Sequence, residues 1–461
     1  MTGGARNDSD FSLTARNEFE FGMNRDTIVG KIYGYRIMKN VEIIAKKLAA
    51  IWQRVYVVGS YNVHAILKKN FWADIDLTTP ALPDQIRSVL KVVWEIWSKY
   101  WTLIVREGGE SYEITTFRKD IGSVNQRKPV EVIFTPSLEE DAKRRDFTFN
   151  AIYYDPLEKR YHDPTWGLKD LKKWIIRFVW DINKRLDEDI LRLLRYVRLK
   201  NKYYLKPASG EYEEILKERT VQLLQIAKER IKQELDKMFL DKTNISALED
   251  LKKIWFFKHY LPQVDNLGET PWGKLMHLEW NVWVHTLMSI NELNHLHLHD
   301  IDLYWATLFH DIGKYPTFKY DDYWNIHYYR HEFEGVKIVR DFISRQMLFS
   351  KDSLKKILWL IENHIRVWTI EDMKKIKRYR FMMHDNFQDL IYLYIVDNLG
   401  KDPPDTECGP RLQKIYDDFK AKLKYVRFLD WNDIMNKYPN LQWGEIGKRL
   451  RVENDKILSR L

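Results

Sequence analysis

Arg144-Arg145-Asp146-Phe147-Thr148-Phe149-Asn150-Ala151 is the stretch on which the reading of this chain turns. Two cations and a carboxylate stand directly before an aromatic-rich run. About seventy residues earlier come a Gly59-Ser60 pair and an Asp74-Ile75-Asp76 triplet. Each element alone is ordinary, and a lone Asp-x-Asp is most often a surface turn. In this order they describe a site for nucleotidyl transfer. Such chemistry needs a small-residue turn that lets a triphosphate approach the backbone. It also needs carboxylates that gather divalent cations beside the attacking hydroxyl and the leaving pyrophosphate.

The flanking periodicity puts these residues on a small sheet. Residues 55–58 read as a buried strand ending at Gly59, and residues 61–69 as a helix. Residues 74–77 read as a second strand, on which alternation carries Asp74 and Asp76 to one face. Residues 102–106, 111–117 and 129–134 are further strands, and the polar residues 119–128 between them read as a mobile loop. Beyond Trp166 the period becomes helical, over residues 187–199 and 221–240. In the second of these Leu224, Ala227, Ile231, Leu235 and Met238 form one stripe. From about residue 265 helices alternate with short polar loops. Residues 402–410, with three prolines and a glycine, read as a linker to a basic helical tail, 411–461.

With 461 residues the chain exceeds one core and calls for several domains. No apolar run approaches the ~20 residues that cross a bilayer, and residues 1–24 lack the apolar core of a secretory signal. Cys408 is the only cysteine, so no intrachain disulfide forms and a cytoplasmic setting fits. The net charge of +9 reads either as a solvated basic surface or as the footprint of a polyanionic partner, RNA or DNA. Eighteen tryptophans are many for this length.

The head resembles the class II tRNA nucleotidyltransferase and bacterial poly(A) polymerase family. The resemblance rests on Val58-Gly59-Ser60 with Asp74-Ile75-Asp76-Leu77, on Tyr112 to Arg118, and on Arg144 to Ala151. It continues through Asp163-Pro164 with Gly167, Asp170 and Leu171, through Glu188 to Arg192 with Leu194 to Arg198, and through Glu229 to Leu235. The family implies that Asp74 and Asp76 hold Mg2+, with Glu113 as a third carboxylate on a neighbouring strand. It implies nucleotide contacts from Gly59, Ser60, Arg145, Asp146, Asn150, Arg195 and Arg198. Glu188, Asp189 and Arg192 would line one helical face, with Asp189 and Arg192 reading base edges; without the other motifs, Glu188 and Arg192 are simply an i,i+4 pair. The chain departs from the family after Gly59-Ser60, where Val63 and His64 replace an expected Arg-Asp pair.

A second constellation is His285, His310-Asp311, His331, His364 and Asp397. Imidazoles and carboxylates together suit borderline divalent metals. The pieces Val284-His285-Thr286, Leu308 to Lys314, His331-Glu332 with Gly335, Ile361 to His364 and Val396-Asp397 resemble the HD phosphohydrolase domain. The resemblance makes His285, His310, Asp311 and Asp397 metal ligands and adds His331 and His364 for a two-metal site. Mn2+, Ni2+, Fe2+ or Mg2+ would serve. His295, His297 and His299 stand in a polar run and read as surface residues, and His277 as structural.

The expected fold class is α+β: a small nucleotidyltransferase sheet head, then an all-helical neck, HD body and tail. The expected segments are a disordered tail 1–28, head 29–165, neck 166–262, HD domain 263–401 and helical tail 402–461. The resemblance implies addition of CMP and AMP from CTP and ATP to a tRNA 3′ end, with a metal-dependent phosphohydrolase in the HD domain. It leaves open a poly(A) polymerase, an enzyme adding only A or only CC, and an HD phosphohydrolase with an inactive head. No membrane partner is expected, and the oligomeric state stays open.

Overall fold

A computed structural model describes residues 25–68, 75–96, 102–121, 131–271 and 281–461. Asp74, residues 122–128 of the expected loop, residues 129–130 of the expected strand after it, His277 and the polar segment 1–24 lie outside them. The chain divides into two compact units, Met1–Ile226 and Ala227–Leu461.

The first unit opens with helix α1 (Arg25–Ala49). Its buried stripe Val41, Ile44, Ala45 and Leu48 follows the i, i+3, i+4, i+7 spacing of an amphipathic helix. The helix stops at a C-terminal turn in which the Gln53 N–H donates to the Leu48 carbonyl and the Trp52 N–H to that of Ala49, both at 3.0 Å. Strand β1 (Tyr56–Val58) and the short helix α2 (Ser60–Ile66) follow. Next come β2 (Asp76–Thr79), α3 (Pro83–Val89), β3 (Val92–Ile96), β4 (Thr102–Glu107) and β5 (Glu110–Thr116). Then β6 (Arg118–Ile121) pairs with β7 (Glu131–Phe134) as a separate ribbon. Helix α4 (Leu138–Lys143), the 3-10 turn Thr148–Ala151, β8 (Tyr153–Asp155) and β9 (Arg160–His162) complete the head.

Among the described residues the main sheet has seven strands, in the order β3-β4-β5-β2-β1-β8-β9. Only β2 and β5 pair in parallel; the other pairs are antiparallel. One face packs Val57, Leu77 and Ile114 on the α1 stripe. The other carries Tyr56 and Val58 against Phe117, Ala142, Ala151, Tyr153 and Val179. This second face holds the site.

Two helices read as continuous are broken. Helix Ile182–Glu188 ends at Asp189, whose backbone is extended, and a new helix runs Arg192–Tyr203. Asp189 Oδ1 accepts from the Leu191 N–H at 3.1 Å, so its side chain satisfies a backbone donor at the restart. Glu188, Asp189 and Arg192 therefore do not share one helical face. Residues 221–240 split into a 3-10 segment, Thr220–Gln225, and a helix, Lys228–Phe239. Leu224 and Ala227 lie exposed, while Ile231, Leu235 and Met238 are buried. The expected loop also begins as strand β6 rather than as irregular chain.

The second unit is nearly all helix. Among its described residues one ribbon pairs Lys319–Tyr320 with Ile326–His327. Side-chain caps start its helices where the sequence offers Asn281, Asp300 and Ser350, each accepting from backbone N–H groups of the first turn. The expected linker is coil to Glu407, and the helix Cys408–Leu423 begins inside it. No described helix is long and apolar enough to cross a membrane.

Candidate functional site

In the head, three strands present one row of residues. Val58 lies opposite Asp76 in the antiparallel β1–β2 pair, and Asp76 lies beside Glu113 in the parallel β2–β5 pair. Register partners share a face, so the Asp76 and Glu113 carboxylates project together, and both residues are exposed. Like charges directly opposite each other destabilise a sheet unless a cation lies between them. The pair thus fits a divalent ion on the chemistry of its donors. Gly59 closes β1 with φ 76, and a Cβ there would stand 3.1 Å from Asp76 Oδ2. The missing side chain lets the Asp76 carboxylate lie over the turn. Ser60 opens α2, while the departures Val63 and His64 face inward: Val63 is buried, and the His64 ring meets Tyr203 edge-on at 5.6 Å.

The 144–151 stretch is held by charge. Asp141, fully buried, accepts from Arg144 Nε at 2.8 Å, Arg145 Nη2 at 3.0 Å and the Tyr153 hydroxyl at 2.7 Å. Burial pushes its carboxyl up, but Arg144 and Arg145 outweigh burial and hold it at about 2. Asp146 spends both oxygens. Oδ1 accepts from the Phe147 N–H and the Asn150 amide; Oδ2 accepts from Arg195 Nε at 2.8 Å and Nη2 at 2.5 Å. Burial again opposes ionisation, and Arg195 with Asn150 prevails, at about 2. Arg192 donates to Glu188 at 2.6 Å, to the Arg185 carbonyl and to the Arg144 carbonyl, both at 2.9 Å. The i,i+4 pair therefore exists, across the helix break. Arg198 is half-buried on the same helix as Arg195. Asp141 and Tyr153 were not singled out from the sequence. Asp141 stands three and four residues before the two arginines, a spacing that signals such a clamp.

The second unit assembles its six expected ligands. His285, on Val282–His295, lies with Nε2 3.0 Å from Asp397 Oδ1. His310 Nε2 lies 3.2 Å from Asp311 Oδ2 and 3.6 Å from Asp397 Oδ1, but it makes no directed hydrogen bond. The other oxygen of Asp311 faces His331 at 3.3 Å and His364 at 3.7 Å, and those two Nε2 atoms are 3.2 Å apart. Two donor groups, His285-His310-Asp311 and Asp311-His331-His364, thus share one carboxylate.

Each imidazole is aimed from behind. Nδ1 of His285, His310, His331 and His364 meets the carbonyl of Gly400, Thr307, Tyr328 and Ile361 at 3.1, 2.7, 2.8 and 2.7 Å. An Nδ1–H donating there leaves the Nε2 lone pair pointing inward, as a metal ligand requires. Burial lowers the His285 and His364 values. Burial also opposes a charge on His310, yet Asp311 and Asp397 raise it to about 10. The carboxylates demand positive charge at that point, and a divalent ion meets the demand. Lys314, which the sequence reading passed over as a site residue, is buried with Nζ 2.6 Å from Asp311 Oδ2. Gly313 is a second missed requirement, since a Cβ there would sit 2.0 Å from the His331 carbonyl oxygen. His295, His297 and His299 are exposed, as expected.

Three family models match the chain. Residues 55–177 match the poly A polymerase head domain, residues 211–267 a probable RNA and SrmB-binding site of polymerase A, and residues 280–408 the HD domain. A CCA-adding enzyme of Lactobacillus helveticus is 40% identical over 185 residues, 40% of this chain and 45% of that one. The chain spans about half the length of the curated relatives it matches first. The Bacillus stearothermophilus CCA-adding enzyme in complex with CTP shares the fold, with a TM-score of 0.66 at 20% identity over 91% of this chain and 93% of that one. The Thermotoga maritima CCA-adding enzyme complexed with tRNA_CCA does so with a TM-score of 0.55 at 17% identity, over 91% and 93%.

Proposed function

We propose that this chain, which carries a poly A polymerase head domain, an RNA-binding segment and an HD domain in that order, is a template-independent nucleotidyltransferase that adds CMP and AMP from CTP and ATP to a tRNA 3′ end. The observation that carries the reading is the Asp76–Glu113 register pair beside the glycine turn. Asp76 and Glu113, with Asp74, hold magnesium, which supplies activation of the 3′-hydroxyl and neutralisation of the pyrophosphate. The chain's own side chains do the rest. Arg145 lies beside the nucleotide, held by Asp141 and Tyr153. Asp146 aims Arg195 and pins the turn that carries Asn150. Asp189 accepts from a base edge and Arg192 donates to one, so protein rather than a template chooses C or A.

The similar chains named above bind CTP and tRNA, which favours these substrates here. The deciding experiment sequences the 3′ ends of tRNA extended with all four nucleotides present. Ends that read CCA support the reading. Tails of A on any RNA establish the poly(A) alternative, and A alone or CC alone a partial enzyme.

The HD body supports a second activity, because its ligand set is whole and its imidazoles are oriented. We assign it hydrolysis of a phosphoester or 2′,3′-cyclic phosphate, with Mn2+, Ni2+, Fe2+ or Mg2+ held by His285, His310, Asp311, His331, His364 and Asp397. Such metals supply a nucleophilic water at neutral pH. The double variant His310→Ala, Asp311→Ala loses hydrolysis and keeps nucleotide addition; hydrolysis that persists refutes the site. The lysines and arginines of the tail grip tRNA phosphates, so binding weakens steeply with salt. The buried lone thiol of Cys408 suits a cytoplasmic enzyme.

A further inference from the structure

We propose that Asp141 is a positioning residue of the nucleotide site, an inference that rests on the transferase reading above. One buried carboxylate draws together two adjacent guanidinium groups that repel each other in its absence. Arg145 is fixed on three sides, by its ion pair with Asp141 at 3.0 Å, by the Tyr153 hydroxyl accepting from Nε at 2.9 Å and by the Tyr153 ring 5.0 Å away, and Asp141 in turn accepts from that hydroxyl at 2.7 Å. It also fixes Arg144, whose carbonyl is gripped by Arg192 at 2.9 Å. Asp141 therefore governs both the group beside the nucleotide and the backbone on which the base reader leans.

The test is steady-state kinetics on the full chain with tRNA lacking its end. Asp141→Asn and Tyr153→Phe are assayed at a temperature where their unfolding curves show both folded. Asp141→Asn raises KM for CTP and ATP roughly tenfold, the worth of one charged hydrogen bond, with a smaller change in kcat. It also raises misincorporation. Tyr153→Phe moves KM in the same direction by less. Unchanged KM and fidelity in both variants overturn the proposal while leaving the transferase reading intact. Absence of incorporation by the unmodified chain sinks both.

Six tryptophans pose an unrelated question. Trp52, Trp166, Trp174, Trp180, Trp255 and Trp324 have φ of 61, 65, 58, 67, 62 and 61°. A bulky L-residue in this left-handed region is an outlier, whereas glycine enters it freely. All six are exposed, from 40% to 95%, so none is held there as a core residue. Trp52 holds the position of a helix-ending turn where glycine is the usual residue. By contrast, Trp283 and Trp305 lie within helices and are buried. The chain carries only 19 glycines, where average usage would give roughly 32.

We infer that these six residues are glycine in the protein as its source cell makes it. UGA is the codon whose meaning varies among stop, tryptophan and glycine between genetic codes, and it differs from the glycine codon GGA in one base. The six codons are then UGA, and those of Trp283 and Trp305 are UGG. UGG at the six positions overturns the inference. Peptide mass mapping of the protein purified from its source reads glycine at the six and tryptophan at 283 and 305; tryptophan throughout overturns it equally. A chain carrying all six Trp→Gly changes melts at a higher temperature than the tryptophan form, and a lower melting temperature counts against the inference.

Discussion

Asp146→Asn separates charge from shape at the centre of the proposed nucleotide site. Asn keeps the volume and one acceptor but gives Arg195 no anion to meet. The cost follows from the ionisation. Burial raises the Asp146 carboxyl, Arg195 and Asn150 lower it further, and the net is a fall from 3.8 to about 2. At 1.36 kcal/mol per unit, that difference contributes about 2 kcal/mol to folding at neutral pH. The carboxylate is depressed in the folded chain, so its contribution is complete above the unfolded value of 3.8 and is lost as pH falls through about 2. Unfolding of the first unit, followed in urea or by amide hydrogen exchange over residues 144–151, gives the measurement. The variant should be less stable than the parent by about 2 kcal/mol at pH 7, with the gap narrowing below about pH 4. A gap that stays constant on acidification, or none at neutrality, refutes the claim that Arg195 is what holds Asp146 ionised.

Gly59→Ala should cost about 1–2 kcal/mol, because Ala must adopt a positive φ, and thermal unfolding reads that loss. The same change should weaken incorporation by pressing a methyl group on the Asp76 carboxylate, so a variant with normal rates contradicts the close approach. Arg192→Lys removes the fork that spans the Arg185 and Arg144 carbonyls and Glu188. Discrimination between correct and incorrect nucleotides should fall by about 1–3 kcal/mol, checked by single-nucleotide misincorporation rates.

The parts of the fold that obey a local rule were readable from residues alone. The strand before Gly59 reads as an apolar run because both its faces are covered, and those over residues 102–117 alternate because one face meets the α1 stripe. Strand β7 falls within the expected strand 129–134, but its partner β6 escaped notice because the ribbon stands apart from the main sheet and Arg118–Ile121 is mostly charged. The break at Asp189 escaped because Leu186, Ile190 and Leu193 stay buried through it, so the apolar pattern does not register the change of direction. The expected ligands of the HD body came from motif resemblance, and spacing alone does not show that these side chains meet. His285 reaches Asp397 over 112 residues, and Asp146 reaches Arg195 over 49. Only the packed fold shows that Asp146 is already saturated and that Asp141 stands behind both arginines.

Magnesium-dependent incorporation of labelled CTP and ATP into tRNA lacking its 3′ end, compared between the parent chain and Asp76→Asn, bears most directly on the central claim that strand-borne carboxylates gather the metal. Asp76 is exposed, so the substitution should leave stability within about 0.5 kcal/mol. Incorporation should fall by two orders of magnitude or more, as on removal of a group that stabilises transition-state charge. Incorporation by Asp76→Asn at the parent's rate would contradict the account.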